Sequence, residues 1–353
     1  MSEKQTELNI SRDGMAGRIT LERPDALNAL TPTMCDAISA ALGSWAKDDA
    51  ISLLIIDAEG DKAFCAGGDI AQVYAEGVAG NAGFAQEFWR REYHMNAALF
   101  HFPKPVVTFL HGYTMGGGVG VGCHGSHRIV DHSSRVALPE CAIGLVTDVG
   151  GTLLLARAPG RLGEYLAATA FRMGPQDAIY AGFADYLIPR KTWPDLIAAL
   201  SQTGDLDLID ASALPTDDAP LKVLQPQIDA HFAGTTLRDI LNALDHSDAP
   251  DFAAQTLAFM EKNDPLAMTA SVELVQRARG VDTIEAALEQ EFRFTYRAVK
   301  DADILEGIRA RIIDRDSAPN WSHTLRDVPA LTVSTLLRPL GKDGLWAQES
   351  TPQ

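Results

Sequence analysis

No apolar run in this chain approaches the roughly 18 residues of a membrane span, and no segment repeats at a fixed period. Cysteine is scarce: four in 353 residues (Cys35, Cys65, Cys123 and Cys141), with no CxxC pair. That excludes a disulfide framework and reads as reduced, mostly buried thiols. Basic residues are outnumbered 30 to 47, leaving a net charge of −17. Non-specific binding to nucleic acid or to an anionic membrane needs a basic face, so neither is expected. The opening MSEKQTELNISRDG carries acids and no apolar stretch, so neither a secretory nor a transit peptide is expected, and the prior is a cytoplasmic enzyme. What is present, 46% apolar and 22% charged residues, is the composition of a globular protein.

Arg18–Leu21 reads as a short strand and Asp25–Asn28 as the turn that leaves it. Thr31-Pro32 predicts a helix start, a capping hydroxyl followed by proline at the first helical position. Met34, Ile38, Leu42 and Trp45 then recur at helical spacing. Ile51–Ile56 and Val106–Leu110 are continuous apolar, β-branched runs that suit strands covered on both sides. Alternating strands and helices predict an α/β architecture. Residues 1–190 hold 15 basic and 21 acidic groups, a net −6, and the rest hold 15 and 26, a net −11. Between Ser201 and Pro226 lie Asp205, Asp207, Asp210, Asp217 and Asp218 with three prolines, which reads as a solvated connection. Beyond it, Thr236–Leu244, Phe252–Lys262, Pro265–Arg279, Thr283–Val299 and Ile304–Ile313 read as helices. The expected plan is a core over 1–200, an acidic connection over 201–226 and a helical region over 227–353.

Two segments are unusually rich in glycine: Ala63-Phe64-Cys65-Ala66-Gly67-Gly68-Asp69, and Gly112 to Gly120 with Gly116-Gly117-Gly118 inside it. Each follows a strand. Glycines there let backbone approach a ligand and leave N–H groups free. Two such turns meet the requirement of an oxyanion hole, although tight turns without a ligand would read the same. Gly120-Val121-Gly122-Cys123-His124-Gly125 formally satisfies GxGxxG, with Glu140 twenty positions on. It falls inside the helix that Gly116–Gly118 would start rather than directly after a strand, against a dinucleotide site. His124, His127 and His132 lack the four-residue spacing and intervening glutamate of a zinc helix, so surface or packing histidines are expected. Glu140 and Asp148 frame an apolar, glycine-containing loop. They suit an acid/base pair if burial raises one pKa, and equally a helix cap and a turn residue. Glu92, beside Arg90 and Arg91, alone reads as an ion-paired helix face.

Taken together, GRITLERPDALNAL, AFCAGGD, HGYTMGGGVG and LPECAIGLVTDVGG resemble the enoyl-CoA hydratase/isomerase (crotonase) superfamily over most of residues 17–190. The resemblance implies a ββα-spiral core that binds acyl-coenzyme A thioesters. On it, Gly68 and Gly117 N–H groups hold the thioester oxygen, Asp69 and Glu92 contact substrate, and Ala26, Asn28 and Ala66 line the adenine end of coenzyme A. Hydratases use two glutamates. One matches Glu140, but the other position is Gly120, and Asp148 stands where hydratases have glycine. That exchange resembles the 3-hydroxyisobutyryl-CoA hydrolase branch, as do MGGGVG, PE, DVGG and the tail from Glu306-Gly307 to Asn320-Trp321. Departures are Asp264 for serine, Thr147 for proline and Asp131-His132 for Thr-Glu.

The resemblance therefore implies hydrolysis of a short 3-hydroxyacyl-CoA, 3-hydroxyisobutyryl-CoA of valine catabolism foremost. Glu140 would attack the carbonyl or activate water, and Asp148 would orient the substrate hydroxyl or protonate the leaving thiolate. No metal or cofactor is implied beyond the coenzyme A of the substrate, and a homo-oligomer fits the superfamily. The alternatives are a hydratase or isomerase of the same fold and a non-catalytic acyl-CoA-binding protein. Lys62, Arg23 and Lys104 are the cations near the glycine turns expected to meet phosphates.

Overall fold

The computed structural model describes residues 7–347; the first six residues of the acid-bearing start and residues 348–353 lie outside the described residues. Contacts divide the chain into two units. One gathers residues up to 69, 94–138 and 172–226, and the other 70–93, 139–171 and 227 onward.

Among the described residues, the first unit holds all nine strands: β1 (Leu8–Asp13), β2 (Ala16–Leu21), β3 (Leu53–Ala58), β4 (Ala63–Cys65), β5 (Val106–Leu110), β6 (Tyr113–Met115), β7 (His127–Val130), β8 (Arg135–Ala137) and β9 (Tyr186–Leu187). They form a six-stranded sheet in the order β1-β2-β3-β5-β7-β9 and a three-stranded sheet β4-β6-β8. The β1–β2 hairpin is antiparallel and every other pairing is parallel. Three times the chain leaves a strand of the large sheet, turns, and adds a strand to the small one: β3 to β4, β5 to β6, β7 to β8. This is the expected α/β spiral. Burial on both faces explains the unbroken apolar runs of β3 and β5. Ile55, Val107, Phe109 and Ile129 pack with Trp193, Leu196, Ile197, Leu200 and Ile209.

Helix Pro32–Trp45 starts where expected, with the Thr31 hydroxyl accepting the Met34 N–H at 3.3 Å. The acidic stretch after Ser201 differs from expectation. It contains the helix Asp207–Ser212, with Ile209 fully buried, and Pro220 opens a further helix running to His231. Its aspartates lie along the outside of apolar residues that belong to the core, so acidity alone misled.

Helices dominate the second unit. Pro265–Ala278 is buried along most of its length. The departure Asp264 caps it, accepting N–H bonds from Leu266 at 3.0 Å and Ala267 at 3.1 Å. Burial, then the charge of Asp303, pushes its carboxyl up to about 7 against those two bonds. The tail packs directly on the short helical turn Glu140–Ile143. A Cβ on Gly307 would lie 2.3 Å from the Ile143 backbone, and one on Gly144 would lie 2.6 Å from that of Asp303. Arg309 fixes this part of the tail through Glu306 at 2.8 Å and Asp314 and Asp316 at 2.7 Å.

Candidate active site

The glycine turns belong to the first unit. Leu27 and Asn28 have φ of 52° and 55°. The buried Asn28 side chain holds this turn by donating to the Glu59 and Ala63 carbonyls, both at 2.9 Å, and accepting Arg23 N–H at 2.8 Å. Ala66 N–H then bonds the Leu27 carbonyl at 3.0 Å. Ala26 is exposed and Ala66 half-buried. In the parallel bridge between Leu30 and Gly68, Leu30 donates to Gly67 at 2.9 Å and accepts from Asp69 at 2.8 Å. The N–H of Gly68 therefore points away from Leu30. Gly117 opens the helix Gly117–Gly122, and a first-turn N–H has no acceptor within its helix. Neither N–H donates to another group among the described residues.

The two turns are adjacent: a Cβ on Gly67 would lie 3.5 Å from Met115 O and 3.9 Å from Gly117 N. One on Gly118 would lie 2.1 Å from Cys65 O, so only glycine permits that approach. Asp69 pairs with Arg23 at 3.0 Å, and Arg23 also meets Glu7 at 3.3 Å. Lys104 donates to the Trp45 and Asp48 carbonyls at 2.6 and 2.7 Å. Of the three cations expected to meet phosphates, two thus serve their own fold, and Lys62 stands exposed.

The acids cluster in the second unit. Glu92 comes from helix Ala82–Phe100, Glu140 from its short turn, Asp148 from the following loop and Glu291 from helix Ile284–Asp301; all are buried. Both Glu140 oxygens and Oε1 of Glu92 have no hydrogen-bond partner. Tyr93 donates its hydroxyl to Asp148 Oδ2 at 2.7 Å. Glu291 accepts from Gly150 N–H at 2.8 Å, Thr152 N–H at 3.0 Å and the Thr152 hydroxyl. Burial, then the charge of Asp148, drives the Glu140 and Glu92 carboxyls well above the usual carboxylate range. Burial lifts Asp148 to about 8, opposed by the Tyr93 bond and reinforced by the charge of Glu291. Glu291 reaches about 7, burial again prevailing over its hydrogen bonds. Such a cluster holds protons at neutral pH that ordinary carboxyls have lost, which suits it to proton transfer. Val149, β-branched with φ of 56°, stores about 1–3 kcal/mol of strain beside Asp148.

Comparison with known proteins places this geometry in a family. A family model described as enoyl-CoA hydratase/isomerase matches residues 16–337. The chain belongs to the enoyl-CoA hydratase/isomerase family. The mitochondrial 3-hydroxyisobutyryl-CoA hydrolase of Bos taurus is 34% identical over 98% of this chain and 92% of its own. The corresponding protein of Homo sapiens is 33% identical over 96% and 90%. Among solved structures, an enoyl-CoA hydratase from Rhodobacter sphaeroides 2.4.1 is 53% identical with a TM-score of 0.89, covering 96% of this chain and 99% of its own. A carnitinyl-CoA dehydratase from Mycobacterium thermoresistibile is 35% identical with the same TM-score of 0.89, covering 95% and 97%.

In this family member, then, Glu92, Glu140 and Asp148 come together in one buried cluster of the second unit, while Gly68, Gly117, Asp69, Ala26, Asn28 and Ala66 belong to turns of the first unit. Sequence reasoning missed Tyr93 and Glu291. Glu291 does leave a signal: it shares the buried helix face of Ile284, Ala287 and Leu288, where an acid is out of place unless bonded. Of the three histidines, two pack against rings, His127 stacking on Tyr186 at 6.2 Å and His124 meeting Phe100 edge-on at 5.9 Å, and His132 is exposed. No group of three His, Cys, Asp or Glu disposed to hold a metal occurs among the described residues.

Buried, poorly bonded acids cost stability once ionised. Their raised folded pKa means the protein loses stability as pH climbs from the unfolded carboxyl value through the folded one. Glu92→Gln is therefore expected to raise Tm at pH 8, by about 2–4 °C per kcal/mol relieved, with the gain vanishing near pH 4. Melting curves at both pH values check this.

Proposed function

We propose that this protein hydrolyses short 3-hydroxyacyl-CoA thioesters, with 3-hydroxyisobutyryl-CoA as the foremost substrate. The observation that carries the reading is Asp148: a buried acid, bonded to Tyr93, in a cluster with Glu140, while Gly120 offers no carboxyl at the position of the second hydratase glutamate. Relatives that align over almost the whole chain and are named 3-hydroxyisobutyryl-CoA hydrolases support it.

Hydrolysis adds water across the C–S bond, giving the free acid and coenzyme A as thiol. The carbonyl carbon becomes tetrahedral and its oxygen anionic, and the Gly68 and Gly117 N–H groups are assigned to that charge; losing one such donor costs about 3–4 kcal/mol. Glu140, whose oxygens carry no bonds, attacks the carbonyl or deprotonates the attacking water. Asp148, with Oδ2 held by Tyr93, keeps its other oxygen for the substrate hydroxyl. Glu92 and Asp69 are assigned to substrate, and Ala26, Asn28 and Ala66 to coenzyme A. Water is the only co-reactant this chemistry needs, so no cofactor enters the reading. Valine catabolism as its setting, the cytoplasm as its compartment and a homo-oligomeric state complete the proposal.

Hydration of an enoyl-CoA is the second reading, favoured by the 53% identity to a structure described as a hydratase. Incubation with 3-hydroxyisobutyryl-CoA and with crotonyl-CoA separates the two. Release of free thiol from the first supports the thioesterase; loss of enoyl absorbance from the second without thiol release overturns it.

A further inference from the structure

The loop that carries Asp148 is held by a helix to which the reaction above assigns no part. Glu291 lies in the middle of Ile284–Asp301 and is fully buried. One of its oxygens accepts the Gly150 N–H, and the other accepts both the N–H and the hydroxyl of Thr152. These three donors flank the place where the backbone turns through the left-handed region, at Val149 (φ 56°) and Gly150 (φ 76°). Gly151 N–H closes the turn on the Asp148 carbonyl at 2.7 Å. A β-branched residue adopts that conformation only where its surroundings enforce it, and Glu291 is the side chain bonded on its far side.

We propose that Glu291 is a positioning residue for hydroxyl recognition: it fixes the Asp148–Thr152 loop so that Asp148 can distinguish 3-hydroxyacyl from unsubstituted acyl thioesters. The inference rests on the thioesterase reading and deepens it. Asp148 is then held twice, its backbone through Glu291 and its carboxyl through Tyr93 at 2.7 Å. A carboxylate is required because every partner of Glu291 is a donor; glutamine would set an NH2 group against one of the N–H groups. The neighbouring ionisable groups are Glu92, Tyr93, Glu140 and Asp148, and the charge of Glu291 raises the pKa of Asp148, Glu140 and Tyr93.

The test compares kcat/KM for 3-hydroxyisobutyryl-CoA and isobutyryl-CoA, read as thiol release, in the wild type and in Glu291→Gln. The hydroxylated substrate is expected to lose about 10²-fold, the effect of a misplaced contact group, and the unsubstituted one to change little. Thr152→Val keeps both N–H bonds and removes only the hydroxyl. It should shift the ratio the same way by about 5-fold, one hydrogen bond's worth, and it decides the matter if Glu291→Gln does not fold. An equal fall for both substrates, or an unchanged ratio, in the folded variants overturns the positioning role. If the wild type releases thiol from neither substrate, the thioesterase reading fails first and this inference falls with it.

Discussion

Glu140→Gln is expected to lower kcat for thioester hydrolysis by about 10²- to 10⁴-fold, the range for loss of a positioned acid/base group. Both carboxyl oxygens are buried and lack partners, an arrangement that costs stability and is kept where the group has work to do. Burial and the charge of Asp148 raise its pKa, so a strong base is available once it ionises. Glutamine preserves shape and removes basicity. The fold should survive, and with a buried charge gone, Tm at pH 8 should not drop. A kinetic loss with undiminished Tm identifies a chemical role; activity within about 10-fold of wild type, inside the lower bound of that range, counts against it. The activity of the wild type should rise with pH as Glu140 ionises, with its acidic limb above the usual carboxylate range.

Gly307→Ala is expected to lower both stability and activity. Its Cβ would lie 2.3 Å from the backbone carbonyl group of Ile143. Neither backbone can yield as a side chain does, so the helix Ile304–Ile308 and the turn Glu140–Ile143 must separate. Overpacking of this kind costs about 1–3 kcal/mol or more. Because the turn carries Glu140, a displacement of about 1 Å is expected to cost about 10²-fold in kcat/KM as well. Gly83→Ala is the control, since its Cβ would meet only the Asn81 side chain at 3.6 Å. Melting and thiol-release assays on the two variants should diverge; similar values would remove the tail's bracing role.

Much of this is legible in the sequence because local chemistry and global packing agree there. Thr31 caps its helix, β3 and β5 announce themselves by β-branched runs, and Thr283 caps Ile284–Asp301 by accepting Ala286 N–H at 3.3 Å. Gly118 marks close backbone approach through its absent side chain, and Gly67, with φ of 116°, a backbone conformation that favours glycine. The small sheet is not legible: β4, β6 and β8 have three residues each, too few for a periodic signal, and only their partners define them. The segment after Ser201 misleads because its exposed aspartates are interspersed with the apolar residues that dock, Leu206, Leu208, Ile209 and Ala213. Charges mislead in the same way, since Arg23 and Lys104 look available until their acceptors, Asp69 and two carbonyls, come into place. Tyr93 and Glu291 act through partners 55 and 139–141 positions away, a distance no motif spans.

Under the proposed mechanism, a buried acid cluster drives thioester hydrolysis rather than enoyl hydration. Its most direct test follows free thiol from 3-hydroxyisobutyryl-CoA with wild-type protein and Glu140→Gln side by side. Thiol release by the wild type that falls at least about 10²-fold in the variant is the expected result. Undiminished release by the variant, or no release by the wild type alongside hydration of crotonyl-CoA, would contradict it.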